Sequence, residues 1–252
     1  MSRRARLDAE LVRRGLARSR EHAADLVAAG HVTVPGRATV KPATQVDAGE
    51  AIQVNEDESE RYVSRGGHKL AGALDVFEPR GLLVAGRRCL DAGASTGGFT
   101  DVLLRRGAES VVALDVGHGQ LDWKLRNDPR VVVLERTNAR TLTPEQLPEH
   151  ARHFALITVD VSFISLRQIL PVVPAVLEPG GDVIALVKPQ FEAGRAEVGK
   201  GGIVRDAEVQ QRVVEAVGAA AGELGLIRAG MVESPITGME GNREFLLHLR
   251  GA

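Results

Sequence analysis

The sequence predicts an α/β fold, a parallel doubly wound sheet with a small α+β domain ahead of it, and three observations carry that prediction. From residue 87 onward, short apolar runs alternate with stretches whose apolar residues recur at helical spacing, the pattern of buried parallel strands joined by amphipathic helices. A polar residue closes one strand after another: Asp91, Asp115, Asn138 just after the third, Asp160 and Lys188. The first sixty residues show something else, two short helical patterns followed by period-two alternation. A chain of 252 residues has room for one full α/β core and a satellite of that size.

The satellite reads in order. Leu7, Leu11 and Val12 fall on one helical face that stops at Gly15. Ser19 is placed to N-cap a second helix carrying Ala23, Ala24, Leu26, Val27 and Ala28, ended by Gly30. Val32 and Val34 then alternate with polar residues, Pro35-Gly36 turns the chain, Thr39-Val40 follows, and a turn at Asp47–Glu50 leads to Ile52 and Val54. The apolar-free acidic run Asn55–Glu60 reads as a linker, which places a first domain at 1–60. Residues 61–81 read as linker and lead-in helix, with Leu70, Leu74 and Phe77 at helical spacing and a stop near Pro79, and the main domain takes 82–252.

In the main domain the first strand, Arg88-Cys89-Leu90, leads into Asp91-Ala92-Gly93-Ala94-Ser95-Thr96-Gly97-Gly98-Phe99-Thr100 and a helix with Val102, Leu103 and Leu104. Val111–Asp115, Val131–Leu134 and Phe154–Asp160 are the next three strands. A helix with Leu166, Ile169, Leu170, Val173 and Leu177, a turn at Glu178–Gly181 and a strand Val183–Lys188 follow. The glycine-rich stretch after Lys188 to Gly202 reads as a mobile loop over the active edge, Asp206 caps a long helix, and strands near 225–232 and 244–249 are expected to pair as a hairpin. Such sheets bind ligands beyond the carboxyl ends of their strands, which makes the polar strand endings candidate site residues. Position 95 is Ser95, so the dinucleotide G-x-G-x-x-G is absent, and no G-K-[ST] follows a glycine loop.

Composition narrows the partners. Formal net charge is −1, yet Arg3, Arg4, Arg6, Arg13, Arg14, Arg18 and Arg20 crowd the first twenty residues against only Asp8 and Glu10. Such a face is either a solvated helix surface or a contact for an anion such as nucleic acid. The single Cys89 excludes a disulfide framework and a thiolate metal cluster, and the seven histidines show no metal-ligand spacing, so no metal is expected. No apolar run approaches the roughly 20 residues that span a bilayer, and Met-Ser-Arg-Arg lacks the apolar core of a signal peptide. A cytoplasmic protein without membrane contact is expected.

Arg6-Leu7-Asp8, Gly15–Arg20, Ala23, Gly30–Val34 and Gly49–Ile52 together resemble the S-four RNA-binding domain over roughly residues 5–55. That resemblance implies that Arg3, Arg4, Arg6, Arg14, Arg18 and Arg20, with Arg65 further on, present positive charge to structured RNA. Asp91-x-Gly93 with Gly97-Gly98 is similar to the first motif of class I methyltransferases, and Asp115 stands where an acid accepts cofactor ribose hydroxyls. Residues 64–70, Asp91–Thr100, 125–131, 160–166, 187–192 and 241–245 extend the likeness nearly end to end. The chain thereby resembles the FtsJ-like ribose methyltransferases and, among them, the TlyA family. The resemblance implies S-adenosylmethionine as cofactor, held by Asp91, Gly93, Ser95, Thr96, Gly97, Gly98, Phe99, Asp115, Asn138 and Asp160. It implies a Lys-Asp-Lys-Glu set at Lys69, Asp160, Lys188 and Glu244, and methylation of cytidine 2′-hydroxyls in 16S and/or 23S rRNA on ribosomal subunits.

The residue types suit that chemistry on their own terms. A ribose hydroxyl is a poor nucleophile at neutral pH, and a lysine whose ammonium is disfavoured can take its proton. Lys188 is the candidate base and Lys69 the second cation, with Asp160 and Glu244 orienting them; the sequence leaves open which lysine accepts the proton. Two other readings are a haemolysin-like membrane-active protein and a non-catalytic ribosome-binding factor. A base methyltransferase would call for aromatic or Asn/Asp-Pro residues around a flipped base, and no proline follows Asp160.

Overall fold

The computed structural model describes residues 4–17, 19–28, 30–54, 62–149, 151–238 and 240–251. The chain divides into two compact units, Met1–Arg61 and Tyr62–Ala252.

The first unit contains β1 (Ala5–Arg6), α1 (Leu7–Arg13), α2 (Arg20–Ala28), β2 (Val32–Thr33), β3 (Gln45–Val46) and β4 (Gln53–Val54). Both helices form where the apolar spacing puts them, and Leu7, Leu11, Ala23 and Leu26 meet Val32, Val34 and Val46 in one small core. The Ser19 hydroxyl accepts the His22 N–H at 3.1 Å, the expected cap. Two antiparallel ribbons cover the core, β1 with β3 and β2 with β4. The expected strand at Thr39-Val40 does not form. A turn intervenes in which Thr44 Oγ1 accepts the Lys41 N–H at 2.8 Å, and pairing resumes only at Gln45.

The second unit begins with α3 (Gly66–Phe77) and continues through β5 (Arg88–Ala92), α4 (Gly98–Arg105), β6 (Ser110–Leu114), α5 (Trp123–Arg126), β7 (Val131–Leu134), β8 (Phe154–Val159) and α6 (Val173–Val176). It ends with β9 (Leu177–Val187), α7 (Pro189–Glu192), α8 (Ala207–Glu223), β10 (Leu226–Glu233) and β11 (Phe245–Gly251). Seven strands make one sheet in the order β10-β11-β9-β8-β5-β6-β7, with β11 antiparallel to both of its neighbours and the other pairs parallel. Alternate residues on a strand face opposite sides, and the two cores follow from that. Cys89, Val111, Ala113, Leu156, Ile184 and Leu246 pack on the face covered by α3 and α4. Leu90, Val112, Ile157, Val183, Ala185 and Leu247 pack on the other, against Val214, Val217 and Ala221 of α8.

Three expectations need correction. The lead-in helix expected with the linker at 61–81, outside the main domain, is part of the sheet unit: Leu70, Ala73, Leu74 and Phe77 of α3 are fully buried in the first of those cores. The single helix expected before β9 is broken into two 3-10 turns, Leu166–Gln168 and Leu170–Val172, and the four-residue α6. Pro171 and Pro174 supply no N–H to an α-helical ladder there. The turn expected at Glu178–Gly181 is an irregularity inside β9, where pairing with β8 shifts register between Phe154 and Leu156.

A buried ionic group closes the edge of the sheet away from the strand endings. Asp182 is fully enclosed and accepts from Arg87 at 2.6 Å and Arg250 at 3.2 Å, with its Oδ1 2.7 Å from His248 Nε2. Burial alone would raise its pKa, but the His248 and Arg87 bonds hold it below the usual carboxylate value.

Candidate active site

The candidate residues gather at the carboxyl ends of the parallel strands, where β5 stands between β6 and β8 and the chain leaves in opposite directions on its two sides. Adjacent strand ends are tied together by backbone bonds: Gly93 and Ala94 N–H donate to Leu114 O at 2.8 and 3.0 Å, and Asp160 N–H donates to Ala92 O at 2.9 Å.

The turn from Asp91 to Gly98 is held from beneath and from the side. Asp91 is 0 % exposed and accepts from Thr100 Oγ1 at 2.7 Å and Thr158 Oγ1 at 3.1 Å, so it anchors the turn rather than facing an incoming ligand. Asp115 Oδ2 accepts the Ser95 N–H at 2.8 Å and its Oδ1 the Gly117 N–H at 2.6 Å, tying the turn to the end of β6. Gly93, at φ +90°, brings its backbone so near Asp160 that a Cβ there would lie 2.3 Å from the Asp160 carbonyl oxygen. Gly97, at φ +100°, leaves room for Leu121 and Leu125, and Gly98 for Ser64 and the first turn of α3. The glycines thus let protein close up behind the turn, while Gly93, Ser95 and Thr96 remain open to solvent on its outer rim. Phe99 departs from expectation: it is 3 % exposed and its ring belongs to the core under α3 rather than to the open rim of the turn. Asn138 is exposed, and its side chain caps the turn Ala139–Thr141 by accepting the Arg140 N–H at 3.0 Å.

Burial pushes the Asp91 carboxyl up to about 7, with the Asp160 charge adding to the rise and the two threonine hydroxyls opposing it. An acid with a raised folded-state value stabilises the fold fully below its ordinary value near 4, and that contribution is lost as pH rises through about 7. Chemical unfolding of the protein and of Asp91→Asn should therefore differ in pH slope between about 4 and 7, by up to about 1.4 kcal/mol per pH unit. Parallel slopes over that window would refute the raised acid.

Beside the turn stand two ion pairs. Lys188 Nζ lies 2.5 Å from Asp160 Oδ1, and Lys69 Nζ lies 2.6 Å from Glu244 Oε2. Strand register brings them together. Phe245 pairs with Val187, which sets Glu244 across from Lys188 at the strand ends, and Val159 pairs with Ala185 on the other side. The helix bearing Lys69 starts at Gly66, where a Cβ would sit 3.9 Å from Asp160 Oδ2. All four side chains expected from the sequence converge, and Lys188 and Glu244 are buried. The pairs are largely enclosed, and charge holds each amine beside its carboxylate although Asp160 Oδ1 and Glu244 Oε2 make no directed hydrogen bond.

Residues that sequence reasoning passed over complete the surroundings. Lys188 Nζ also donates to Ser162 Oγ at 3.0 Å. Phe163 is 91 % exposed at φ +65°, and its ring centroid lies 5.3 Å from that of Phe191 in α7. An exposed aromatic in a left-handed backbone conformation is the signal that could have marked it. Asn242 binds the loop after Lys188 to the loop before β11, accepting the Val204 N–H at 2.9 Å and donating to Gly202 O at 2.9 Å. Glu192 accepts from Leu166 N–H and Ser165 Oγ, each at 2.6 Å, and holds α7 against the chain leaving β8. No group of three His, Cys, Asp or Glu side chains able to hold a metal occurs among the described residues.

The arginines divide. Arg3 and Arg18 lie outside the described residues. Arg6 and Arg20 both donate to the buried Asp8, at 2.9 and 3.0 Å, yet keep much of their length in solvent; the bond from Arg6, foremost, brings Asp8 down to about 2. Arg4 is exposed beside Asp47. Arg14 is a correction: it is only 21 % exposed and bonds Glu10 together with the carbonyl oxygens of Asp47, Ala48 and Glu50. Its donors are spent on holding α1 to the turn before β4, so it has little left for an RNA phosphate. Arg65, in the second unit, precedes α3 and donates to Thr237 O at 3.2 Å.

Residues 62–251 match the model of the FtsJ-like methyltransferases, and residues 5–52 match the S4 domain. The chain is 56 % identical over 250 residues to the 16S/23S rRNA (cytidine-2'-O)-methyltransferase TlyA of Mycobacterium tuberculosis, covering 99 % of this chain and 91 % of that one. It is 41 % identical to Hemolysin A of Brachyspira hyodysenteriae, covering 96 % and 98 % of the two chains. Among solved structures, a hemolysin candidate from Streptococcus thermophilus superposes with a TM-score of 0.76 at 44 % identity, covering 100 % of this chain and 90 % of that one.

Proposed function

The chain belongs to the FtsJ-like methyltransferase family and, within it, to the TlyA family, and on that premise we propose that it methylates cytidine 2′-hydroxyls of ribosomal RNA. The observation that carries the reading is the pairing of Lys188–Asp160 with Lys69–Glu244 beside an open glycine turn.

The turn fits S-adenosylmethionine. Its glycines let the backbone carry the amino-acid portion of the cofactor, Ser95 and Thr96 offer hydroxyls on the open rim, and Asp115 retains lone pairs for the ribose hydroxyls. When bound, the cofactor supplies a methyl group already activated as a sulfonium substituent. The chain's own residues then have one task, to hold the acceptor hydroxyl in line and remove its proton. Lys188 Nζ, held beside Asp160 and acting in its neutral form after giving up its own ammonium proton, accepts the hydroxyl proton as the new O–C bond forms. Lys69, fixed by Glu244, stabilises negative charge on the same oxygen. Phe163, with Phe191 behind it, gives the base of the acceptor nucleotide a face to stack on. An aromatic platform also suits a base methyltransferase, so the choice of ribose rests on the lysine–carboxylate set alone.

Arg4, Arg6 and Arg20 of the first unit, and Arg65 of the second, supply positive charge for the RNA backbone. Work on ribosomal subunits would place the protein in the cytoplasm. The name hemolysin carried by some relatives implies membrane activity, but no helix among the described residues is long and apolar enough to cross a membrane.

The test incubates the protein and labelled S-adenosylmethionine with each ribosomal subunit lacking the modification and maps the label by alkali resistance. One or two cytidines should become alkali-resistant. Label on a base, or none on either subunit, would overturn the proposal.

A further inference from the structure

We infer that Ser162 is a positioning residue for the methyl-transfer step: its hydroxyl aims the Lys188 amine at the acceptor oxygen. The inference rests on the reading of Lys188 as the base. Lys188 Nζ lies 2.5 Å from Asp160 Oδ1 as an ion pair outside hydrogen-bond geometry, and its one directed bond goes to Ser162 Oγ at 3.0 Å. A tetrahedral amine nitrogen bonded to Cε has three remaining directions. Ser162 takes one of them by a directed bond, while the Asp160 carboxylate sets the charge beside the nitrogen without claiming a direction, and one of those that remain must meet the acceptor hydroxyl.

The carboxylate alone would not fix this direction. An ion pair without a directed bond leaves the amine free to turn, because the lysine side chain ends in a rotatable bond. The directed bond from Lys188 Nζ to Ser162 Oγ, two places along the same loop from Asp160, removes that freedom. The loop itself is held. Asp160 N–H is tied to Ala92 O, Ser165 Oγ donates to Glu192 Oε2 at 2.6 Å, and Phe163 leans on Phe191. Ser162 thus lies between two anchored points rather than on a free loop tip.

The role differs from that of an RNA contact, although Ser162 is exposed. A hydroxyl that only bound a phosphate would contribute equally before and during the reaction, and its removal would raise KM. A hydroxyl that aims the base acts in the transition state, and its removal would lower kcat. The proton shift itself is unchanged in either case: the O–H bond of the ribose breaks, an N–H bond forms on Lys188, and Ser162 gains and loses nothing.

The experiment measures steady-state methylation of the ribosomal subunit, and S-adenosylmethionine affinity by calorimetry, for Ser162→Ala, Ser162→Thr and Lys188→Ala. Misaim of the order that costs ~10²-fold elsewhere sets the scale. Ser162→Ala should lose roughly 10- to 100-fold in kcat, with KM for the subunit and cofactor affinity within about twofold of the parent. Ser162→Thr, which keeps the hydroxyl on the same atom, should recover most of the loss. A raised KM with unchanged kcat in Ser162→Ala would make Ser162 an RNA contact and overturn the inference. So would full activity of Ser162→Ala, or failure of threonine to rescue. Lys188→Ala separates the two levels: if it stays active the base assignment fails, whereas an inactive Lys188→Ala beside a fully active Ser162→Ala sinks only the role of Ser162.

Discussion

Replacing Lys188 by alanine is expected to abolish methyl transfer, lowering kcat by about 10²- to 10⁴-fold or more, the range spanned by a general base. Lys188 is buried at the end of β9, beside Asp160 and bonded to Ser162. Alanine removes the proton acceptor and also leaves the Asp160 carboxylate without its cation, so the loss combines two effects. Lys188→Arg distinguishes them. A guanidinium restores the charge but cannot accept a proton at neutral pH. Both variants should be inactive in single-turnover assays while still binding the cofactor. Substantial activity in Lys188→Arg would show that positive charge rather than a base is what the position supplies.

Gly93→Ala should cost nearly as much by another route. The residue sits at φ +90°, which disfavours any side chain. Its new Cβ would also fall 2.3 Å from the carbonyl oxygen and 2.9 Å from the carbonyl carbon of Asp160. The clash is with backbone, so no rotamer change relieves it. Either the glycine turn moves outward or the strand end carrying Asp160 moves away, and both disturb the site. Cofactor affinity should fall at least tenfold and turnover by about 10²-fold, the penalty for misplacing reacting groups by about 1 Å. Gly119→Ala is the control. That residue also has a positive φ, +70°, but a Cβ there meets nothing within 4 Å. It pays only for the strained backbone, and activity should remain close to that of the parent. Equal losses in the two variants would mean that strain alone, and not contact with Asp160, explains the effect.

The alternation of strands and helices, the satellite of two helices and the polar strand endings are all read directly from the order of residues. These are legible because a strand's two-residue period and a helix's 3.6-residue period are local properties of the chain. Asp160 and Lys188 were among those endings, whereas Lys69 and Glu244, and the grouping of the four, came only through resemblance to a family. Tertiary structure decided what each of these groups touches. Arg14 and Phe99 carry the residue types of an RNA contact and a cofactor neighbour, but the fold spends one on a turn and the other on the core. Ser162 and the exposed face of Phe163 are unremarkable in the sequence and become visible only when β8 and β9 lie side by side. The cause is the same throughout: which side chains meet depends on sheet register and on backbone angles at a few turns, and both are set by contacts between residues far apart in the chain.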